Sequence, residues 1–337
     1  MPKKLKNAIN FQEKLNGILE KNLPVNLSLA KEISEILEIS LDSAYRRLRN
    51  QTEYTLNEVA LICHHFDIPL ESLNNELQSV VTFKINHFDN QIESYQKYLE
   101  NMLLNLEKIS LFNDVQIFFA AEDIPVFYHF SQNNLLQFKI IYWLKSLLNI
   151  QDFQYKNYEE IELPETIKII AKKIYEKFES IASTEIWTSE TVLSTLKQIR
   201  FYFDAGFFTN STAAFLILDD LELVLKNIHK STDIGFKFSK GNMTNVKLKF
   251  YLSDVMIGNN SILVKAEGFS TSFISYNTFN FMQTTNVNFN LQNEQWLNNI
   301  LSKSTLLSTV AEKQRNQFFK SVNKQISELR NYITLND

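Results

Sequence analysis

The hydrophobic and polar positions of residues 1–78 follow the 3–4 spacing of short amphipathic helices. Two such runs lie on either side of residues 38–39, which leaves only a tight turn between them. Ser40 stands where the cap of the second helix is expected, and Thr55 with Glu58 forms a capping box at the start of a later one. These signals predict five short helices that form a small N-terminal domain over residues 1–78.

A longer amphipathic helix is predicted next, within residues 79–110. Its apolar residues keep a 3,4,3,4,3 spacing, which is the seam of a heptad repeat: Ile92, Tyr95, Leu99, Met102, Leu106 and Ile109. Such a seam either packs against the domain that follows or joins two copies of the chain in a short coiled coil. The spacing leaves both interpretations open, and we expect this helix to connect the small domain to the rest of the chain.

Helical spacing also dominates residues 111–337. It predicts four helices in the first half of this region and two near its end: 135–148, 165–181, 191–203, 212–229, 296–301 and 310–333. Residues 245–275 differ, because apolar and polar positions alternate there in places and Gly258-Asn259-Asn260 gives a turn signal. We therefore predict a mainly α protein, with a mostly helical C-terminal domain that carries a small antiparallel β-sheet near 245–275 (an α+β arrangement).

Composition narrows the classes of function. The chain has 337 residues and a net charge of −4, so any binding to nucleic acid has to come from a local patch. It has six glycines and neither of the glycine-rich loops that hold phosphate groups. The lone cysteine, Cys63, fits a reducing compartment. With neither a secretory signal nor a long apolar stretch, we expect a cytoplasmic protein that makes no use of a membrane.

The remaining candidates for chemistry are weak. Most are neighbours in the sequence, which rarely converge on one atom: Cys63-His64-His65, Glu122-Asp123 and Asp219-Asp220. We expect core packing and loop caps at these positions, and hence no catalytic residue, no metal site, no cofactor and no enzyme. Pairs of aromatic residues such as Phe118-Phe119 and Phe127-Tyr128 indicate a packed core, or alternatively the lining of a pocket for an apolar ligand.

Residues 40–50, SLDSAYRRLRN, carry the clearest functional pattern. Ala44 is the small residue expected where two helices cross closely, and the free N–H groups after Ser40 can meet a phosphate. The side chains expected at the exposed surface follow on the same helix and just beyond it: Ser40, Asp42, Ser43, Tyr45, Arg46, Arg47, Arg49, Asn50 and Thr52. Those of the first turns are expected to face base edges, and those from Arg47 onwards to face phosphates.

Residues 28–73 resemble the phage-repressor (Cro/Xre-type) helix-turn-helix domain. The strings SLDSAYRRLRN and TLNEVALICHHFDIPLESL are similar to an uncharacterised group of bacterial regulators with a large C-terminal region, and that second resemblance extends more loosely through residues 120–130, 138–148 and 304–319. The resemblance implies a transcriptional regulator that binds double-stranded DNA as a homodimer, with helix 40–50 in the major groove.

The sequence departs from that family pattern at two positions. Glu38 stands in the turn where these domains usually have glycine, and Arg47 stands where many have an apolar residue. If the resemblance holds, residues 111–337 are expected to dimerise and to sense a small-molecule or protein effector. The alternative is a protein-interaction module whose helical head docks a protein partner, since residues 1–78 carry nine Lys and Arg against eleven Asp and Glu, a net charge of −2.

Overall fold

The computed structural model describes residues 11–23, 27–66, 68, 70–73, 80–239 and 242–337. The N-terminal part of these residues, up to residue 73, is called the head below. It contains four α-helices and a final 3₁₀ turn, where the pattern predicts five short helices: Phe11–Asn22 (α1), Leu29–Ile36 (α2), Leu41–Leu48 (α3), Leu56–His65 (α4) and Leu70–Leu73. Residues 1–10, 24–26, 67, 69 and 74–78 of the predicted domain lie outside the described residues.

The helices of the head share one small hydrophobic core. Leu19, Ile33, Ala44 and Ile62 come from four different helices and are fully buried together. Cys63 lies in the same core, which agrees with its expected role as a packed apolar side chain. Because each helix has only 8 to 12 residues, this shared burial stabilises them more than their own helix propensity does.

Residues 80–337, called the body below, contain further helices and a sheet. The helices are Ile92–Ile109 (α5), Val126–His129 (α6), Asn133–Tyr142 (α7), Glu165–Glu179 (α8), Leu193–Asp204 (α9), Ser211–Ile234 (α10), Val287–Leu301 (α11) and Glu312–Asn336 (α12). The strands are Gln116–Ala120 (β1), Ala182–Trp187 (β2), Phe236–Ser239 (β3), Asn242–Leu252 (β4), Ser261–Ala266 (β5), Phe269–Tyr276 (β6), Asn280–Thr284 (β7) and Thr305–Leu306 (β8).

The sheet is larger than the sequence pattern predicts, and the predicted small antiparallel sheet is wrong. Within the described residues it has eight strands in the order β3-β4-β2-β1-β5-β6-β7, with β8 also paired to β4. β1, β2 and β4 are parallel, whereas β5, β6 and β7 form an antiparallel meander. The C-terminal part of the protein is therefore built on a mixed sheet that begins at Gln116, far upstream of residue 245.

The two central strands escape prediction for different reasons. β1 is covered on both faces and reads as a short apolar run, which its period does not distinguish from a piece of buried helix. β2 instead carries three buried polar residues, Ser183, Thr184 and Glu185, so neither an apolar run nor a regular alternation marks it as a strand. The turn signal at residues 258–260 also misleads, since it connects β4 to β5, and these two strands are separated in the sheet by β2 and β1.

Helices cover the two faces of the sheet unequally. Ile117 and Phe119 of β1 face a large core that includes residues of α5, α7, α8, α10 and α12. Ala120 and Phe118 face the opposite side, where the main cover is α11, with Leu297 buried against the strands. A strand enclosed in this way needs apolar residues at consecutive positions, which is what the sequence Gln116–Ala120 supplies.

The heptad seam of α5 is buried within the chain. Tyr95, Leu99, Leu106 and Ile109 all belong to the large core of the body, and α5 packs along α8. The hydroxyl of Tyr98 donates a hydrogen bond of 2.8 Å to the carbonyl oxygen of Phe279, which fixes the helix to the loop before β7. The seam is thus used inside one chain, so a coiled coil through the same residues would have to displace α5 from this core.

A cluster of buried ionisable side chains lies between β2, β3 and the end of α8. Glu185 of β2 is fully buried and accepts hydrogen bonds from Tyr128 (2.8 Å), Ser183 (2.9 Å) and Trp187 (3.2 Å): three donors for one carboxylate. Lys237 of β3 donates to the carbonyl oxygen of Phe178 at 2.6 Å. Burial raises the pKa of the Glu179 carboxyl to about 7, although the positive charge of Lys237 opposes the rise.

The raised pKa of Glu179 predicts how stability depends on pH. The folded protein holds this proton more tightly than the unfolded chain, whose carboxyl has a pKa near 4.5, so the free energy of unfolding falls as pH rises from about 4.5 to 7. We expect Glu179→Gln to reduce that fall by about 1 to 3 kcal/mol. Urea denaturation followed by tryptophan fluorescence at several pH values measures it.

The matched control is Glu162→Gln, which removes an exposed carboxyl just before α8. This variant should keep the pH dependence of the parent protein. If Glu179→Gln and Glu162→Gln both leave the pH dependence unchanged, the burial of Glu179 does not control it.

Candidate nucleic-acid interface

The turn between α2 and α3 closes without glycine. Glu38 adopts a left-handed backbone conformation with φ of 51°, which costs a residue with a side chain about 1 kcal/mol. Ser34 compensates, since its hydroxyl donates to the carbonyl oxygen of Ile39 at 2.6 Å and its own carbonyl accepts from the amide of Ile39 at 3.1 Å. The departure at Glu38 therefore leaves the helix-turn-helix geometry intact.

Helix α3 begins at a cap that the sequence predicts. The hydroxyl of Ser40 accepts a hydrogen bond of 3.2 Å from the amide of Ser43, and the two hydroxyls lie 2.9 Å apart. Ala44, one turn further on, is fully buried against the core of the head. The small residue thus allows α3 to cross α2 closely, and the start of α3 is left at the surface.

One face of α3 is exposed and carries four of the predicted side chains: Asp42, Tyr45, Arg46 and Arg49. Arg46, with 62% of its side chain exposed, forms an ion pair of 3.0 Å with Asp42 one turn earlier. The guanidinium of Arg49 lies 5.6 Å from the centre of the Tyr45 ring. This face therefore presents two cations, one anion and an aromatic ring to solvent.

Arg47 is not part of this exposed face, so the prediction that it faces phosphates fails here. Only 15% of its side chain is exposed, and Nη2 lies 2.8 Å from Oε1 of Glu58 on α4. Partial burial would raise the pKa of Glu58, but hydrogen bonds from the amide of Thr55 and from Arg47 outweigh it and lower that pKa. The arginine thus joins α3 to the predicted capping box at the start of α4.

Two amide side chains of α1 hold the C-terminal end of α3. Asn16 donates to the carbonyl oxygens of Arg47 and Leu48, both at 3.2 Å. Gln12 donates to the carbonyl oxygens of Arg47 (2.9 Å) and Thr52 (2.8 Å), and it accepts from the amide of Tyr54 (2.8 Å). These bonds satisfy the free carbonyl groups at the end of the helix.

Asn50 and Thr52 lie in the turn that follows α3. Asn50 has a left-handed backbone conformation with φ of 57°, and its side-chain oxygen accepts a hydrogen bond of 3.3 Å from Asn16. Both residues are exposed and lie at the same end of α3 as Arg49. The structure therefore places Asp42, Tyr45, Arg46 and Arg49 on one exposed face and leaves Ser40, Asn50 and Thr52 exposed at the two ends of α3. Ser43 and Arg47 are half-buried on another side of the helix.

Comparison with known proteins identifies the class of the head. Residues 10–102 match the BetR domain. This is a DNA-binding-like helix-turn-helix family, so the predicted helix-turn-helix class is confirmed. The finer assignment to the Cro/Xre type stays a prediction. No curated protein and no solved structure matches the chain.

The BetR-like region extends beyond the head. It covers α1 to α4, the segment from residue 80 to residue 91, and α5 as far as Met102. The sequence pattern gave no role to Gln12 and Asn16, and it assigned Glu58 only to the capping box, although all three position α3. The one available signal is the spacing of Gln12 and Asn16, because residues four apart lie on the same face of a helix.

Two further findings bear on other kinds of site. In the part of the chain that the structure describes, no group of three His, Cys, Asp or Glu side chains is placed to hold a metal ion. None of the described helices combines the length and the apolar character needed to cross a membrane.

The pairing of Arg47 with Glu58 predicts a loss of local stability on substitution. Arg47→Met removes the charge but keeps an apolar stem, and it leaves a half-buried carboxylate without its cationic partner. We expect the BetR-like head to lose about 1 to 3 kcal/mol of protection against opening. Hydrogen exchange followed by mass spectrometry on peptides from α3 and α4 of the full chain measures this loss.

A double-mutant cycle with Glu58→Gln is the control. The combined variant should lose less than the sum of the two single losses, with a coupling of at least about 0.5 kcal/mol, because both single changes break the same pair. Strict additivity, or unchanged exchange in Arg47→Met, would contradict the role given to this contact.

Proposed function

We propose that the protein is a sequence-specific DNA-binding transcriptional regulator, and that α3 is its recognition helix in the major groove. The observation that carries this proposal is the outward face of α3, where Asp42, Tyr45, Arg46 and Arg49 are exposed while the opposite face is fixed by α1 and α4. The match of residues 10–102 to the BetR domain supports it. In this proposal residues 1–78 are the DNA-binding domain.

The roles of the side chains follow from their positions along α3. Ser40 and Ser43 lie at the positive end of the helix dipole, where backbone amides favour a phosphate. Arg46 lies in the middle of the exposed face and can donate two hydrogen bonds to a guanine. Its ion pair with Asp42 is exposed, so giving up that pair costs only about 0.5 kcal/mol.

Arg49, near the end of α3, has a different role from Arg46. Together with the exposed Asn50 and Thr52 it lies beyond the base-reading turns, where a recognition helix approaches the sugar-phosphate backbone. Its contribution is therefore to affinity rather than to sequence preference. The head carries no excess of positive charge, so non-specific binding is weak, and binding to the preferred site depends on these few contacts.

We also propose that the regulator acts in the cytoplasm as a homodimer. An eight-residue helix reads only a few base pairs, and two copies bound to half-sites about 34 Å apart double that number. Because the seam of α5 is buried in the body, the contact between copies lies elsewhere in residues 111–337. This region is also where we place the sensing of an effector.

A second candidate function is the docking of a protein partner by the head. The observation in its favour is the exposure of Leu56 (78%) and Leu61 (54%) on α4, which is high for leucine side chains. The slightly acidic charge of residues 1–78 agrees with it. A head of this second kind would bind a protein through α4, whereas substitutions on α3 would have no effect.

The proposed function is tested by selecting duplexes from a random DNA pool with the full chain at low salt. For the selected duplex we expect Arg46→Ala to lower affinity by about tenfold to a hundredfold, the scale of 1 to 3 kcal/mol, and to relax the preference at one base pair. Arg49→Ala should weaken all duplexes alike and reduce the slope of affinity against salt by about 1. Fluorescence anisotropy measures both effects.

Lys324→Ala on α12 is the matched control, since Lys324 is an exposed cation paired with a carboxylate one turn away, like Arg46. It should bind the selected duplex as the parent protein does. If no sequence is enriched, or if Arg46→Ala and Arg49→Ala bind as tightly as Lys324→Ala, the proposed function is wrong. Stoichiometric capture of a protein that depends on Leu56 and Leu61 would then favour the second candidate.

A further inference from the structure

The three arginines at the C-terminal half of α3 have three different partners. Arg47 is paired with Glu58 of α4, and Arg49 lies against an aromatic ring. Arg46 is paired with a carboxylate of the exposed face itself, since its Nε lies 3.0 Å from Oδ2 of Asp42. Both of these side chains are mostly exposed, 62% for Arg46 and 74% for Asp42. An exposed pair of this kind adds little to stability, so stability does not account for a carboxylate at this place.

The charge of Asp42 also opposes binding to DNA in general. Contacts between cations and phosphates provide most of the affinity of a DNA-binding protein, and a carboxylate on the same face repels the phosphates. Arg49 has no carboxylate partner among the described residues, which suits a residue that contributes affinity. The anion beside Arg46 lowers affinity instead, and an element of this kind is used where one target has to be distinguished from others.

The geometry of the pair leaves the tip of Arg46 free. Only Nε is bonded to Asp42, and in the described part of the chain neither Nη1 nor Nη2 of Arg46 has a hydrogen-bond partner. These two nitrogens carry parallel N–H donors, which match the O6 and N7 acceptors of a guanine in the major groove. Arg46 can therefore bind a guanine and keep its ion pair with Asp42 at the same time.

The pair also fixes the direction of the Arg46 side chain. Asp42 lies in the first turn of α3, two residues after the Ser40 cap, where the helix dipole favours a negative charge. It therefore holds the guanidinium towards the start of α3, which is the end that contacts base edges in a recognition helix. An arginine without such a partner has many rotamers, and some of them reach the phosphates instead.

We propose that Asp42 is a positioning residue for sequence preference: it holds the Arg46 guanidinium through Nε, so that both Nη groups bind a guanine rather than a phosphate. This inference rests on the proposed function, and it names the base that the exposed face selects. Asp42 itself contacts no base. Its loss should therefore raise affinity for DNA in general and lower the preference for guanine.

The test uses the selected duplex and a second duplex in which the guanine is replaced by adenine at the base pair where Arg46→Ala relaxes the preference. We expect Asp42→Ala to bind the second duplex about twofold or more tightly than the parent does, because a negative charge near the phosphates is lost. The ratio of the two affinities should fall by about threefold to fivefold, the scale of an exposed ion pair. Fluorescence anisotropy with the full chain measures both.

Three further variants separate positioning from other roles. Asp42→Glu keeps a carboxylate one turn before Arg46 and should retain the preference. Glu53→Ala removes an exposed carboxylate of the head that has no ion pair with a described residue, so it should keep the ratio of the two affinities. In the Arg46→Ala background, Asp42→Ala should leave the ratio unchanged, because Asp42 acts through Arg46.

Several results would contradict the inference. A preference that is unchanged in Asp42→Ala, or that falls equally in Glu53→Ala, removes the role of Asp42. An effect of Asp42→Ala that persists without Arg46 shows a direct contact with a base, such as the amino group of a cytosine. A selected base other than guanine at the position that depends on Arg46 also overturns it.

The ion pair itself is measured without DNA. In the full chain labelled with nitrogen-15 arginine, the Nε–H signal of Arg46 is assigned by its absence in Arg46→Ala. Its exchange with water should be slower in the parent and in Asp42→Glu than in Asp42→Ala, by at least about twofold. Equal exchange overturns the inference even if a duplex is selected. If no duplex is selected, the proposed function fails and the inference fails with it, whereas a selected duplex whose preference does not depend on Asp42 overturns the inference alone.

Discussion

The ion pair between Arg47 and Glu58 is the one charged contact described between α3 and α4. It fixes α3 to the start of α4 at the same point where α1 binds the C-terminal carbonyls of α3 through Gln12 and Asn16. A helix of eight residues is too short to be stable alone. The direction in which its exposed face points is therefore set by its contacts with α1 and α4. A half-buried charge is costly without a partner. The pair therefore stabilises the head, and the loss of either residue destabilises it.

Much of the head follows from its sequence, because the signals that form it are local. The Ser40 cap, the capping box of Thr55 and the buried Ala44 all involve residues within one or two turns of each other. Arg47 could not be placed in this way. It lies three residues after the buried Ala44 and so on the inward side of α3, but its partner Glu58 is eleven residues later and leaves no local signal.

The sheet could not be predicted for a related reason, which is that its pairing is long-range. β1 pairs with β2 after a connection of about sixty residues and with β5 after a longer one, so neither contact leaves a local pattern.

The partners of two buried or capping carboxylates are also distant in the sequence and could not be predicted from it. Asp123 looks like a solvated carboxylate beside Glu122, but it lies 3.1 Å from the fully buried ammonium of Lys139, and Asp220 caps α7 through the amide of Asn134 at 2.7 Å.

Residues 80–91, which lead to α5, are bonded near their start to β7. Lys84 exchanges two backbone hydrogen bonds with Gln283 of β7, at 2.7 and 2.8 Å, and the hydroxyl of Thr284 donates to the carbonyl oxygen of Thr82 at 2.8 Å. The BetR-like region includes this segment and the first half of α5, so the similarity covers the connection as well as the head. These bonds make the first part of the connection depend on β7 for its position, so this portion of the BetR-like region is built on the sheet of the body.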